Sequence, residues 1–212
     1  MISLDVSIGE AIDKLSILMI KQEFIHNIDK LKHINHEIDC IYPKIKEIIN
    51  NHKHHYQWLL WINKEIWKLS DDVRNPDITL DVKNTLFLQT FLLNDGRFRI
   101  KNKFNLLSSS MIKEQKSYPT HVYMINPLED AEDYIANDCY IRYLTLCYDL
   151  VVLMMYQDVC KHLEGWFEDD PLIMIKVFDH GVYNNLDWSH QPLSNVFNRL
   201  PLGKCVVDVP IQ

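Results

Sequence analysis

Apolar residues recur at steps of three and four along the first half of the chain, a pattern typical of amphipathic helices. Ser7 and Glu10 have the spacing of a capping box, so the first helix is expected to begin there. The apolar stripe of this helix consists of Ala11, Leu15, Leu18 and Ile25. Asp13 lies off the stripe and is expected to face water.

The next stretch has a more regular apolar seam, nearly three heptads long. The seam residues are Leu31, Ile34, Ile38, Ile41, Ile45 and Ile48. Pro43 lies inside this stretch and predicts a kink or a break near Tyr42, because proline lacks the N–H that a helix needs.

Two further helices are predicted, one with apolar positions from Leu59 to Val73 and one from Asp81 to about Leu107. A polar turn at residues 50–55 separates the second helix from the third. Because the connections are short, we expect neighbouring helices to pack antiparallel.

The second half of the chain has the pattern of a parallel α/β unit. Three β-rich runs alternate with two helical patterns. The runs cover residues 121–126, 150–156 and 172–178, and the helical patterns cover 134–147 and 157–167. The second and third runs are continuously apolar, which is typical of strands buried on both faces of a parallel sheet. Beyond Asp179 the sequence is polar and irregular.

These patterns predict an α+β protein in two parts. An N-terminal antiparallel helical bundle covers residues 1–118, and a small Rossmann-like parallel α/β unit covers residues 119–212. Charge divides in the same place, with a net charge of +2 over residues 1–120 and −9 over residues 121–212. The acidic second half argues against nucleic acid as a partner, because the phosphate backbone is also negative.

The five cysteines include no CxxC pair, and the first residues lack the cationic and apolar segments of a secretory signal. We therefore expect reduced thiols and a cytoplasmic protein. The most apolar run, residues 150–156, is too short to cross a bilayer, so no membrane span is expected.

Several short motifs follow one another in the helical half of the chain. They are SIGEAIDKLSIL from Ser7, INKEIW from Ile62, DDVR from Asp71, Asn94–Asp95 with Arg97, Lys101 and Asn105, and KEQKSY from Lys113. In this order, they resemble an uncharacterised helical domain that accompanies lipopolysaccharide and other glycan-assembly genes. The resemblance covers residues 5–118 and implies a role in glycan biosynthesis without defining a chemistry.

A second set of motifs covers about residues 121–179. They are DYIAN from Asp133, IRYL from Ile141, Tyr148–Asp149, VVL from Val151 and DDP from Asp169. These resemble the opening βαβαβ segment of heptosyltransferase-like glycosyltransferases, which have two Rossmann-like domains and use a nucleotide-sugar donor. The resemblance implies that Asp133 is the catalytic base toward an acceptor hydroxyl and that Asn137 and Arg142 bind substrate.

The chain departs from that family at the turn after the first strand. The family has a glycine-rich turn ending in Gly-Asp, whereas here Glu132 stands at the glycine position and four acids crowd residues 129–133. Such acids repel a phosphorylated substrate. We expect no counterpart of the family's second domain, which holds the nucleotide-sugar, in this sequence. We therefore expect an incomplete or accessory member, and Asp133 has the alternative role of a helix N-cap.

Arg97 and Lys101 are four residues apart and share one helix face. With Lys116, they are candidates to bind a phosphate or a sugar-nucleotide. The alternative is structural pairing inside the bundle, for which Asp71, Asp72 and Asp95 are the candidate partners.

Two further clusters have competing interpretations. His52, His54 and His55 resemble metal ligands, but their spacing lacks helical geometry, so we expect a solvated loop, no metal and no cofactor. The aromatic stripe of Trp58, Trp61 and Trp67 suits a core, a subunit interface or a sugar platform.

Two functions remain open at this point. The first is glycan biosynthesis, with a partner glycosyltransferase supplying the nucleotide-sugar site. The second is non-enzymatic assembly of the helical domain, with itself as a homo-oligomer or with another protein. The apolar seam from Leu31 to Ile48 suggests this function.

Overall fold

The computed structural model describes residues 4–112, 114, 121–125 and 127–178. Over these residues the protein is helical in its first part and carries a small parallel sheet with helices in its second, which confirms the predicted α+β layout. The chain divides into two compact units, Met1–Lys116 and Ser117–Gln212, called the helical unit and the α/β unit below. The irregular stretch expected beyond Asp179 lies outside the described residues.

Four helices form the helical unit. They are α1 (Ile8–Phe24), α2 (Ile28–Asn51), α3 (Lys53–Val73) and α4 (Leu80–Leu107). The first helix begins where the capping box predicts, since the Ser7 hydroxyl oxygen accepts a hydrogen bond from the Glu10 N–H at 3.1 Å. Among the described helices, none is both long and apolar enough to cross a membrane.

Helix α1 is the central element, because α2, α3 and α4 all pack against it. Helix α2 runs back along α1, and an ion pair between Lys14 and Glu37 (2.8 Å) links the two helices. Helix α4 runs antiparallel to α1, since Glu10 near the start of α1 pairs with Lys101 near the end of α4. Helix α1 is therefore antiparallel to α2 and α4, whereas it runs parallel to α3, since Asn63 bonds to Asp13 and Trp67 stacks on Phe24 farther along both helices.

The seam of α2 is used inside the unit. Ile34 and Ile45 are buried, and the other seam residues are half-buried. Of the kink or break predicted near Tyr42, the break is wrong, because α2 continues through Pro43 to Asn51. Both Pro43 and Asp39 are exposed, so water can satisfy the Asp39 carbonyl that lacks its helical donor.

The predicted polar turn at residues 50–55 is also wrong. A single residue, His52, links α2 to α3. His55 is fully buried, with its ring edge-on to Phe104 at a centroid distance of 6.2 Å. The imidazole packs in the core as an aromatic ring. The run of polar residues at 50–55 does not indicate this burial, because it depends on contact with another helix.

The described part of the α/β unit contains a three-stranded sheet and three short helices. They are β1 (Val122–Ile125), α5 (Ala131–Ala136), α6 (Asp138–Cys147), β2 (Leu150–Met155), α7 (Gln157–His162) and β3 (Ile173–Val177). The strands are parallel in the order β1-β2-β3, as expected for successive crossovers. The single helix predicted over 134–147 is instead two helices that meet at Asn137, and the helix predicted over 157–167 ends at His162.

The two apolar strands have different surroundings. Strand β2 is buried from Val151 to Met155 and forms the core with Tyr134, whose hydroxyl donates to the Met154 carbonyl at 2.6 Å. Strand β3 was predicted to be equally buried, but Met174, Ile175 and Val177 are exposed. Among the described residues, β3 pairs with β2 alone, so an apolar sequence does not guarantee that its faces are covered.

Gly9 sets the distance between α1 and α4. A methyl group at this position would overlap the backbone oxygen of Lys101, and the Gly9 N–H donates to the Asn105 side chain at 2.7 Å. We expect Gly9→Ala to lower the free energy of unfolding by about 1–3 kcal/mol, the usual cost of overpacking a core. Urea unfolding measures this change. Met19→Ala, at an exposed position of α1, is the control, and equal midpoints for the two variants would contradict the close helix approach.

Candidate functional site

A forked ion pair between α1 and α4 forms the polar centre of the helical unit. Nε and Nη2 of Arg97 donate to Oδ1 and Oδ2 of Asp13 at 2.7 and 2.5 Å. The Asp13 side chain is 4% exposed, so the prediction that it faces water is wrong. The hydrogen bond with Asp13 raises the pKa of Arg97 and outweighs the opposing effect of burial.

Helix α3 joins this pair through Asn63. The Asn63 Nδ2 donates to Asp13 Oδ1 at 3.0 Å and to the Ser16 hydroxyl oxygen at 2.7 Å. The Ser16 hydroxyl in turn donates to the Asp13 carbonyl at 2.7 Å. One buried carboxylate thus receives donors from α3 and α4, and it holds three helices in a fixed arrangement.

A second ion pair lies one turn along α4. Lys101 Nζ lies 2.5 Å from Glu10 and 2.6 Å from Glu114. Burial lowers the pKa of Lys101, but hydrogen bonds to the two carboxylates raise it more, so the pKa is raised overall. Arg97 and Lys101 therefore face the same way, as predicted.

The acids that pair with these cations are not those expected from the sequence. Arg97 and Lys101 pair with Asp13, Glu10 and Glu114, whereas Asp71 pairs with Arg74 at 2.9 Å. Lys116, the third cation of the candidate phosphate site, lies outside the described residues. Because these acids neutralise both cations, the pair is poorly suited to hold a diphosphate.

Two other cations near the end of α4 are also buried. Arg99 and Lys103 are nearly inaccessible, and Lys103 Nζ lies 5.5 Å from the centre of the Trp58 ring. This distance is that of a cation–π contact. The cations at residues 97–103 of α4 thus make contacts inside the helical unit.

A pocket of about 240 Å³ opens beside the forked ion pair. Its apolar wall is formed by Ile17, Ile20 and Ile66, together with the ring of Trp67. Its polar groups belong to Asn63, Ser70, Asp71, Arg74 and Arg97. Trp67 also stacks on Phe24, with ring centroids 6.1 Å apart and planes inclined by 16°. Sequence reasoning had placed Arg97 and Trp67 in separate clusters, and the packing of α3 beside α1 and α4 brings them together.

In the α/β unit, Asp133 lies in the first turn of α5, after β1. Its carboxylate is exposed, and its N–H donates to Asp130 at 3.0 Å. The N-cap role considered for Asp133 therefore belongs to Asp130. The Asn137 Nδ2 donates to the Asp133 carbonyl at 2.8 Å, so these two predicted site residues lie together.

The third predicted site residue of this unit, Arg142, is held by protein groups. Its guanidinium donates to Asp138 at 2.9 and 3.0 Å, to Asp169 at 2.8 Å and to the Trp166 carbonyl at 3.1 Å. Burial lowers the pKa of Arg142, and the two carboxylates raise it further than burial lowers it. A substrate anion would have to compete with both acids. Arg142 is therefore better suited to holding the segment after α7 in place than to binding substrate.

The three histidines of the α2–α3 junction pack closely. The rings of His54 and His55 have centroids 3.9 Å apart, and His52 lies 6.2 Å from His55. Within the part of the chain that the structure describes, no group of three or more His, Cys, Asp or Glu side chains is arranged to hold a metal ion.

Asp13→Asn tests the forked ion pair. The amide keeps the shape of the carboxylate but leaves the Arg97 cation uncompensated. The Arg97 side chain is 26% exposed, so we expect a loss of about 2–3 kcal/mol in the free energy of unfolding, somewhat below the cost of breaking a fully buried pair. Thermal and urea unfolding measure this loss.

Asp71→Asn provides the matched control for Asp13→Asn. Its pair with Arg74 is largely exposed, so we expect a change within about 1 kcal/mol. Equal losses for the two variants would show that the forked pair does not stabilise the helical unit more than a surface pair does.

Comparison of the chain with protein-family models, with curated proteins and with solved structures found no match. The function is therefore argued from the residues and their geometry.

Proposed function

We propose that the protein takes part in glycan assembly as a glycosyltransferase-like accessory protein that works with a partner glycosyltransferase. The resemblance of both halves to glycan-assembly proteins motivates this proposal. In it, the partner supplies the site for the nucleotide-sugar donor, and Asp133 supplies the base toward the acceptor hydroxyl.

The exposed apolar side chains of β3 are the observation that carries the proposal. In complete parallel α/β domains, helices or further strands cover such strands on both faces. Here β2 is covered, whereas Met174, Ile175 and Val177 of β3 remain accessible. A partner that packs against β3 would give this strand the environment that its sequence favours.

The turn after β1 supports an accessory role over independent catalysis. Glu129, Asp130, Glu132 and Asp133 all follow the strand end where parallel α/β folds bind ligands, and all four are exposed. A diphosphate placed there would meet negative charge from the start of α5. An acceptor hydroxyl carries no such charge, so the turn suits the acceptor better than the donor.

Calorimetry with a panel of nucleotide-sugars tests the proposal. We expect no heat of binding for the purified chain alone, and donor binding once a glycosyltransferase encoded beside it is added. Transfer of a glycosyl group by the purified chain alone would overturn the accessory role. The absence of donor binding and of transfer in the presence of the partner would overturn the link to glycan assembly.

Asp133→Asn tests the proposed base in the assembled pair. The amide accepts no proton from the acceptor hydroxyl, so we expect transfer to fall by about a hundredfold or more. The control is Asp130→Asn, because asparagine caps a helix about as well as aspartate does. Equal activities of the two variants would remove Asp133 from the mechanism.

Assembly of the helical unit is a second candidate function, and one observation favours it. The first half of α4 exposes an apolar face, with side chains 57–71% accessible. Its members are Leu80, Phe87, Leu88 and Phe91. The spacings of three, four and seven place them on one side of the helix, the pattern of a helix-pairing surface. The α2 seam that motivated assembly is already covered, so this α4 stripe replaces it as the candidate interface, with a second copy as the partner.

The oligomeric state of the intact chain tests the α4 stripe. We expect a dimer by size-exclusion chromatography with light scattering, and a monomer for the double variant Phe87→Glu, Phe91→Glu, because the charges would be buried in the interface. Val82→Glu changes an exposed position on another face of the same helix and should leave the dimer intact. A monomeric wild-type chain would exclude self-assembly through this stripe.

A further inference from the structure

We propose that the pocket beside Arg97 binds one neutral monosaccharide unit, with the sugar ring against Trp67. This inference goes beyond the proposed function, because it concerns the helical unit and not the α/β unit. It depends on four features of the pocket: its size, its charge balance, its aromatic wall and its unused hydrogen-bonding groups.

The size of the pocket limits the ligand. Its volume of about 240 Å³ is below the range of about 300–1,000 Å³ that is typical of pockets for drug-sized ligands. A single sugar ring fits such a space. The site thus suits one unit of a glycan.

The charges around the pocket cancel in pairs. Arg97 is neutralised by Asp13, and Arg74 lies 2.9 Å from Asp71. An anionic ligand would gain little from Arg97, because the forked Asp13 carboxylate already neutralises its charge. A neutral ligand with hydroxyl groups meets no such cost, because paired cations and carboxylates can still donate to and accept from hydroxyl groups.

The aromatic wall supplies an apolar surface for a ring. Trp67 is half-buried and stacks on Phe24, so the indole is held in place by a neighbour from α1. Together with Ile17, Ile20 and Ile66, it offers an apolar surface of the kind that C–H groups on one side of a sugar ring can cover.

Several hydrogen-bonding groups of the pocket remain available. Arg97 uses three of its five N–H groups on Asp13 and Asn94, and the other two donate to no residue that the structure describes. Asn63 uses both amide N–H groups, while its Oδ1 accepts from none of the described residues. Ser70 donates to the Ile66 carbonyl and keeps its hydroxyl oxygen as an acceptor. Donors and acceptors thus stand side by side, which is what vicinal hydroxyl groups require.

Saturation-transfer NMR on the full chain tests this proposal. The neutral probes are glucose, galactose, mannose and N-acetylglucosamine, and the charged probes are glucuronate and inorganic phosphate. We expect at least one neutral sugar to bind with a dissociation constant near the millimolar range, independent of salt, with saturation strongest on its ring C–H groups. The charged probes should bind more weakly.

Two variants locate the binding site. Trp67→Leu keeps the pocket apolar but removes the flat ring, and we expect binding about tenfold weaker, equivalent to about 1.4 kcal/mol. Trp61→Leu makes the same substitution on α3 outside the pocket and should leave binding unchanged. Ser70→Leu keeps Trp67 and fills the pocket with a larger side chain, so it should abolish binding and the test holds even if Trp67→Leu does not fold.

Three results would overturn the proposal. They are the absence of saturation transfer to every neutral sugar, tighter and salt-sensitive binding of phosphate or glucuronate, and equal weakening by Trp61→Leu and Trp67→Leu. None of these results bears on the accessory role of the α/β unit, which is measured with nucleotide-sugars and a partner enzyme. The two proposals therefore succeed or fail separately.

Discussion

The fork between Asp13 and Arg97 is the interaction on which the helical unit depends. A carboxylate with 4% exposure can stay in a protein interior only if donors surround it, and here α3 and α4 provide them through Asn63 and Arg97. This requirement fixes the angle and the register of both helices on α1. Gly9 adds a steric limit one turn away, because the α4 backbone approaches α1 too closely for any larger side chain.

The same fork also determines what the adjoining pocket can accept. The two cations that line the pocket, Arg97 and Arg74, already pair with Asp13 and Asp71, so the remaining attraction is for groups that share hydrogen bonds and carry no charge. The α/β unit differs in this respect, because the acids at the start of α5 have a net negative charge. The two units thus favour ligands of different kinds.

Local patterns in the sequence predicted most of the architecture, and contacts between distant residues account for what they missed. Helical periodicity, the Ser7 cap and the alternation of strands with helices depend on neighbours in the chain, and the structure confirms them. The partner of Arg97 lies 84 positions away, and the burial of His55 depends on Phe104 of another helix. Strand β3 shows the same limit, since its apolar composition could not indicate which of its faces would be covered.

The single-residue junction at His52 has a consequence for how the sequence can change. Each residue of an α-helix turns the chain by about 100°, so an insertion or deletion in the last turns of α2 would rotate all of α3 by that angle. Asn63 would then lose its hydrogen bond to Asp13, because a one-residue link is too short to compensate for the rotation of α3. The number of residues in α2 therefore determines which face α3 turns toward α1. The six-residue link between α3 and α4 can change in length without this effect.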